Sequence, residues 1–507
     1  MCTCKPCFAV PNKLVIKLYL PSIHCSSKDT SVKTHQIIQG ANFWAKQRIP
    51  QLNLVHNEED PVKKEHADNP EVQPEEKETI QSNQEELQPV VPDDTPMDPL
   101  KIVHLDLKGA APKVKYLEQI FPLLSTLGAS GILLEYEDMF PYEGELSILK
   151  SSFAYSPEDI EEMKSLAKRH KLELIPLVQV FGHLEFVLKH EKYFKLREVQ
   201  TFPNSLNPQA QGSMDLVQDM LTQVMKKHPE AKWFHIGADE VRGLGESKDS
   251  KRWLETNNGD MGKLFLNHVT AVGRFMTKLK EGIKLILWDD MFRKLNSDTI
   301  KESGLQDLAS PMIWKYIPNM DVKEIGNYIS KYEQAGFKGV WFASAFKGAS
   351  GIDQKWTPIN HHLKNHLQWQ KVITSMPQYK SVRFQGIALT GWQRYEHHTV
   401  LCELLPVAIP SLAVCLQTLK YGECFIPGGI EYVTCSFFPL VRLMDEWDSF
   451  LLTFRQNMEA IFYPDTLEEW LEENVNEHIE RLHGMVVDAE RIIKLNGQPK
   501  VDPLKKR

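Results

Sequence analysis

Residues His235 to Glu240 read HIGADE, and the run sets two carboxylates, Asp239 and Glu240, side by side where the apolar stretch KWFHIG comes to an end. Adjacent acids repel, so the pair asks for a reason. One acid beside another, or an acid in a dry setting, holds its proton to higher pH, which suits a proton donor working near neutrality. The expectation is therefore that one of the two keeps the other protonated and that each faces a different part of a ligand.

The elements that must position this pair repeat along the chain. Short β-rich runs alternate with amphipathic ones: KIVHLDL (101–107), GILLEY (131–136), LELIPLVQV (172–180), KWFHIG (232–237), KLILWDD (284–290), PMIWKY (311–316), KGVWFASA (338–345) and QGIALTGW (385–392). Between them lie helical patterns such as PKVKYLEQIFPLLSTLG and SPEDIEEMKSLAKRH, the second opening on a Ser cap followed by Pro. Near-continuous apolar strands separated by helices describe a parallel sheet covered on both faces. Eight such units predict an α/β fold, a (β/α)8 TIM barrel over 99–425. An open dinucleotide-binding sheet would want G-x-G-x-x-G after the first strand, and DLKGAAP does not supply it.

Around this barrel the composition changes. Residues 56–98 are rich in Glu, Pro, Gln and Asp and nearly free of aromatics, so they read as a disordered acidic linker behind a poorly ordered leader, 1–55. Residues 426–507 carry two amphipathic segments and read as a C-terminal helical extension packed on the barrel wall. MCTCKPC at the start has no matching second half and is read as a leader with incidental thiols.

Strand C-termini in such a barrel converge on one rim. The residues there are Asp106, Glu135, Glu137, Asp138, Gln179, His183, Asp239, Glu240, Trp288, Asp289, Asp290, Trp314, Tyr316, Trp392 and Arg394. This set is acidic and rich in tryptophan. Indole faces ringed by carboxylates suit a pyranose, whose C–H faces stack while its hydroxyls take hydrogen bonds.

HIGADEV resembles the H-x-G-x-D-E signature of glycoside hydrolase family 20, the β-N-acetylhexosaminidases. IPLVQVFGH, LILWDD, PMIWKY and ALTGW resemble further strands of that family, and VHLDLKGAAPKVKYL, EYEDMFPYEG, FGHLEFVLKH, ASAFKGA and LTGWQRYEHH resemble one branch of it, over roughly 100 to 420. The resemblance implies a retaining exo-β-N-acetylhexosaminidase acting on terminal N-acetylgalactosamine or N-acetylglucosamine by substrate assistance, in which the ligand's acetamido oxygen attacks the anomeric carbon. It implies Glu240 as general acid and base, Asp239 as the group that orients the acetamido N–H and steadies the oxazolinium ion, and His183 as support for the acid. Trp288, Trp314 and Trp392 would wall the pocket, with Tyr316, Asp106 and Glu135 as further substrate-binding residues. No cofactor and no metal are implied. The chain departs from the family at Lys108, where an arginine is usual, at Arg394, where the eighth strand often ends W-x-E, and in lacking the tyrosine after the seventh strand, for which Tyr316 or Tyr395 could substitute.

Two other readings stay open. A metal-dependent barrel hydrolase would use HLD (His104, Asp106) or the His361, His362 and His366 cluster, and a catalytically silent barrel would bind sugar without cleaving it. The net charge of -8 and pI near 6.2 argue against nucleic-acid or anionic-membrane partners. The expected partner is a glycoconjugate or oligosaccharide ending in N-acetylhexosamine, with room left for a homo-oligomer. Cysteines confined to 2–25 and 402–435, the absence of a signal-like leader, and the lack of any N-x-S/T site point to the cytosol or nucleus.

Overall fold

The computed structural model describes residues 98–422, 440–477 and 479–480. The predicted leader, nearly all of the acidic linker and part of the C-terminal extension lie outside these residues. Ten strands occur among the described residues: β1 (Leu100–Asp106), β2 (Gly131–Glu135), β3 (Glu173–Leu177), β4 (Arg197–Val199), β5 (Phe202–Leu206), β6 (Trp233–His235), β7 (Lys284–Trp288), β8 (Ala309–Trp314), β9 (Gly339–Lys347) and β10 (Arg383–Gly391). Eight of them close into a parallel barrel in the order β1-β10-β9-β8-β7-β6-β3-β2. The fold is the expected TIM barrel. The antiparallel pair β4-β5, which the sequence reading did not anticipate, forms a separate sheet in the excursion between β3 and β6.

Alternation along each strand builds the interior in layers, because successive side chains point to opposite faces. Ile102, Leu133, Ile175, Leu177, Trp233, Ile286, Met312, Trp341, Ala343 and Ala388 form the dry inner core, with Trp233 and Trp341 edge to face at 5.0 Å. Two residues further along each strand the inward positions turn polar or aromatic: Glu135 follows Leu133, Gln179 follows Leu177, Trp288 follows Ile286 and Trp314 follows Met312. The outward positions, such as Val103, Leu105, Ile132 and Leu134, pack in a second apolar layer with the surrounding helices.

The helices have local causes. Pro157–Arg169 begins on a full capping box, Ser156 taking the Asp159 N–H while the Asp159 carboxylate takes the Ser156 N–H, with Pro at the first helical position. Met261–Leu279 is capped by Asp260, and Val114–Leu127 ends on left-handed Gly128. Leu405–Tyr421 packs against Ile359–Ser375 and β9. Helices Leu440–Glu459 and Pro464–Leu471 follow, and Phe462 between them bridges to Pro112 at the start of the barrel. No helix among the described residues is long and apolar enough to cross a membrane.

Candidate active site

A cavity of about 210 Å³ opens where the strands end. Lys108, Glu135, Gln179, His183, Asp239, Glu240, Arg242, Trp288, Trp314, Tyr316, Trp392, Arg394 and Tyr395 line it, together with the backbone at Gly348 and Ala349. Asp239, Glu240, His183, Glu135, Trp288, Trp314, Tyr316 and Trp392 thus come together from six stations along the chain. Asp106 does not reach the cavity. It is buried, and its carboxylate takes the Lys108 N–H at 3.0 Å, the Lys108 ammonium at 3.2 Å and the Gln393 N–H at 2.8 Å. Asp289 also turns away, held by Arg293 and by the Tyr332 hydroxyl at 2.7 Å. Arg242, Gly348 and Ala349 were not anticipated; they sit in loops beyond the strand ends, where alternation gives no signal.

Backbone geometry separates the two neighbouring acids. β6 stops at His235 because Gly237 and Ala238 turn left-handed, with φ of 61° and 70°. Asp239 is then buried while Glu240, itself at φ 42°, is 40% exposed at its side chain. Both reach His183, whose Nε2 lies 3.6 Å from Asp239 Oδ2 and 3.3 Å from Glu240 Oε2. The loop carrying His183 approaches so closely that a Cβ on Gly182 would sit 2.1 Å from the Asp239 carbonyl oxygen. Gln179 completes the cradle, donating to Asp239 Oδ1 at 3.0 Å and Glu135 Oε1 at 3.2 Å while accepting the Ala238 N–H. On the far side Asp290 accepts the Glu240 N–H at 3.0 Å and the Trp314 indole N–H at 3.2 Å, tying the acid to a wall of the cavity.

The proton distribution differs from the sequence expectation. The Glu240 carboxyl is lowered, by its hydrogen bond to His183 and by Arg242, which also bonds its Oε2 at 3.3 Å. Asp239 is the one raised, by burial and by the charges of Glu135 and Glu240. The elevation falls on Asp239 because it is the drier of the two acids. Burial and the Asp239 charge also push Asp290 up to about 7. Burial alone would neutralise His183, but the Asp239 charge and the Glu240 hydrogen bond outweigh it and lift His183 to about 10. An imidazolium therefore sits between the two acids at neutral pH.

A second ion network floors the β1 side. Lys108 is buried at 3.2 Å from Asp106 and 3.3 Å from Glu137, 5.8 Å over the ring of Trp392. Burial would discharge it, but the carboxylates of Asp106, Glu137 and Glu135 hold it well above the ordinary lysine range. Three of the histidines named for a metal reading have other partners. His104 bonds Glu135 at 3.0 Å, His361 bonds the Tyr316 carbonyl and His366 bonds Ser344. Among the described residues no three His, Cys, Asp or Glu side chains are grouped to hold a metal ion.

The sequence model of glycosyl hydrolase family 20, catalytic domain, matches residues 119–400. The chain is 52% identical over 324 residues to Hexosaminidase D of Bos taurus, covering 64% of this chain and 93% of that protein. It is 41% identical over 463 residues to Hexosaminidase D of Homo sapiens, covering 78% and 95%. Among solved structures, the β-N-acetylhexosaminidase from Bacteroides fragilis NCTC 9343 aligns with a TM-score of 0.46 at 14% identity over 70% of this chain and 71% of that one, a likeness too slight to add to the assignment. The chain belongs to glycosyl hydrolase family 20. It is accordingly a glycoside hydrolase of the β-hexosaminidase class.

The close approach at Gly182 gives a test of the geometry. Gly182→Ala should push the His183 loop from Asp239 and lower kcat/KM by about a hundredfold, the scale of an ångström misplacement. Steady-state kinetics on a folded variant would check it, and activity within a few-fold of wild type would show that the contact does not position the pair.

Proposed function

We propose that the protein is a retaining exo-β-N-acetylhexosaminidase, hydrolysing terminal β-linked N-acetylgalactosamine or N-acetylglucosamine with help from the substrate's own acetamido group. The observation that carries this reading is that Asp239 and Glu240, adjacent in sequence, line one cavity and meet the same histidine. Neither carboxylate needs to be a nucleophile if the ligand supplies one.

In this reading Glu240, the more exposed acid, faces the leaving oxygen. Its carboxyl is lowered, yet its contact with the His183 imidazolium means the pair jointly holds one proton. Shift of that proton along the 3.3 Å contact makes Glu240 the donor, and after the leaving group departs the same carboxylate takes a proton from water. Asp239 receives the acetamido N–H and balances the positive charge that develops on the ring the acetamido group closes. Trp288, Trp314 and Trp392 supply apolar walls for the acetamido methyl and the sugar face. Tyr316 is the phenol best placed to bond the acetamido oxygen: it stacks on Trp314 at 5.3 Å, and burial together with the nearby Asp239 and Asp290 charges keeps it protonated. The ligand is a glycoconjugate or oligosaccharide with a terminal N-acetylhexosamine.

Glu240→Gln should lower kcat on an aryl N-acetyl-β-hexosaminide by roughly a thousandfold, and Asp239→Asn should lower kcat/KM by about a hundredfold or more. Retention of activity within a few-fold in the first would remove Glu240 as the acid; in the second it would remove substrate assistance. The shared proton has its own signature. His183→Gln takes away the group that holds it to about 10, so the alkaline limb of kcat/KM should move to lower pH in that variant. A limb that stays in place would show that the acid draws its proton elsewhere.

A further inference from the structure

The segment matched by the family ends at residue 400, yet the barrel's β1 side is closed by residues well beyond it. Helix Pro464–Leu471 and the chain just before it clasp the loop that carries Lys108 into the cavity. The Thr466 hydroxyl donates to the Gly109 carbonyl at 2.9 Å, and the Lys113 N–H donates to the Ile461 carbonyl at 2.6 Å. The Lys113 ammonium reaches the Glu459 carbonyl at 2.7 Å, and Pro112 pairs with Phe462.

The same helix holds a second cavity residue. Glu469 forms an ion pair with Arg394, whose guanidinium also donates to the Thr399 carbonyl at 2.6 Å. That guanidinium lies against Gly109, where a Cβ would be only 2.1 Å from Nε and where φ is +73°, so glycine alone admits the contact. Arg394 lines the active cavity on one side and, on the other, a smaller cavity of about 150 Å³ shared with Asp138, His397, Asp465 and Glu469. Beside it, Gln393 bonds Asp106 and the Ala110 carbonyl, stitching the end of β10 to the same loop. The Lys108 ammonium, the Trp392 ring and the Arg394 guanidinium therefore keep their places through a clasp whose outer member is helix Pro464–Leu471.

We propose that Glu469 and Thr466 are positioning residues for the active site, holding Arg394 and the Lys108–Gly109 turn beside Trp392 and thereby setting how tightly the cavity holds its sugar. They touch no ligand themselves and act through Arg394 and the Gly109 backbone. The inference rests on the function proposed above, because it takes the cavity as the sugar site. An ion pair that served stability alone would change the melting temperature without preferring KM over kcat. A pair that sets the wall of the sugar site changes KM first, since the acid–histidine machinery sits on the β3 and β6 side.

The test is steady-state kinetics of the full-length enzyme on an aryl N-acetyl-β-hexosaminide with Glu469→Gln, Arg394→Lys and the double variant. Glu468→Gln, an exposed neighbour paired with Arg455, serves as control. Glu469→Gln should raise KM about tenfold with kcat within about twofold, and the double variant should be no worse than the weaker single, because both changes break one link. The control should leave KM unchanged. An unaltered KM in Glu469→Gln, equal effects in Glu469→Gln and Glu468→Gln, or effects that multiply in the double variant would overturn the proposal. If Glu469→Gln is too unstable to assay, Thr466→Val decides: a KM raised about threefold supports the clasp and an unchanged one overturns it. Glu240→Gln, run alongside, separates the two levels. If it is inactive while Glu469→Gln behaves as wild type, this inference fails alone; if it is active, the reading of the site fails beneath it.

Discussion

A cation buried between two carboxylates is the constraint from which the rest of the site follows. Desolvation penalises every charge at the closed end of the cavity, and an unmatched one there would cost several kcal/mol. His183 meets that penalty by standing between Asp239 and Glu240, and Lys108 meets it for Asp106 and Glu137. The two networks touch through Glu135, which takes Gln179 and His104 on one side and feels the Lys108 charge on the other. The ring of polar groups is therefore one electrostatic unit, and moving any cation redistributes protons among the acids.

Backbone strain appears where this unit needs it. Glu137, His183, Ala238 and Glu240 all take positive φ without being glycine, at 42°, 50°, 70° and 42°. Each lies at or just beyond the end of a barrel strand. Conformations of this kind persist only where surrounding contacts over-determine them. At Glu240 the Asp290 carboxylate holds the backbone N–H, and at Ala238 the Gln179 side-chain amide oxygen does the same. Rigid strands and a packed interior supply the reference frame, and a few strained residues aim the reactive groups.

The barrel was legible in the sequence because its strands are apolar on both faces, and LILW or VWFASA can hardly be anything else in an α/β alternation. The β4-β5 pair was not, since REV and FPNSL are short, polar and broken by Pro203. β6 proved shorter than KWFHIG suggested, because the left-handed turn at Gly237 and Ala238 serves the site at the expense of the sheet. Asp239, Glu240 and the tryptophans were legible from residue type at strand ends. Which acid is dry was not, since burial of Asp239 and exposure of Glu240 depend on the backbone turn. The partners of Glu137 and Arg394 were hidden for another reason: His397 lies 260 positions beyond Glu137, and Glu469 lies 75 beyond Arg394. No local pattern reports contacts of that range.

The proposed function places a division of labour at one strand end, with one carboxylate moving a proton while its neighbour steadies a cation the ligand forms from itself. Two displacements at the anomeric carbon must then leave its configuration as it began. Proton NMR of the first sugar released by the wild-type enzyme from an aryl N-acetyl-β-hexosaminide, recorded before mutarotation, reads this directly. The β-anomer should appear first. An α-anomer appearing first would mean that water attacks in a single step, and it would contradict the assignment of both acids together.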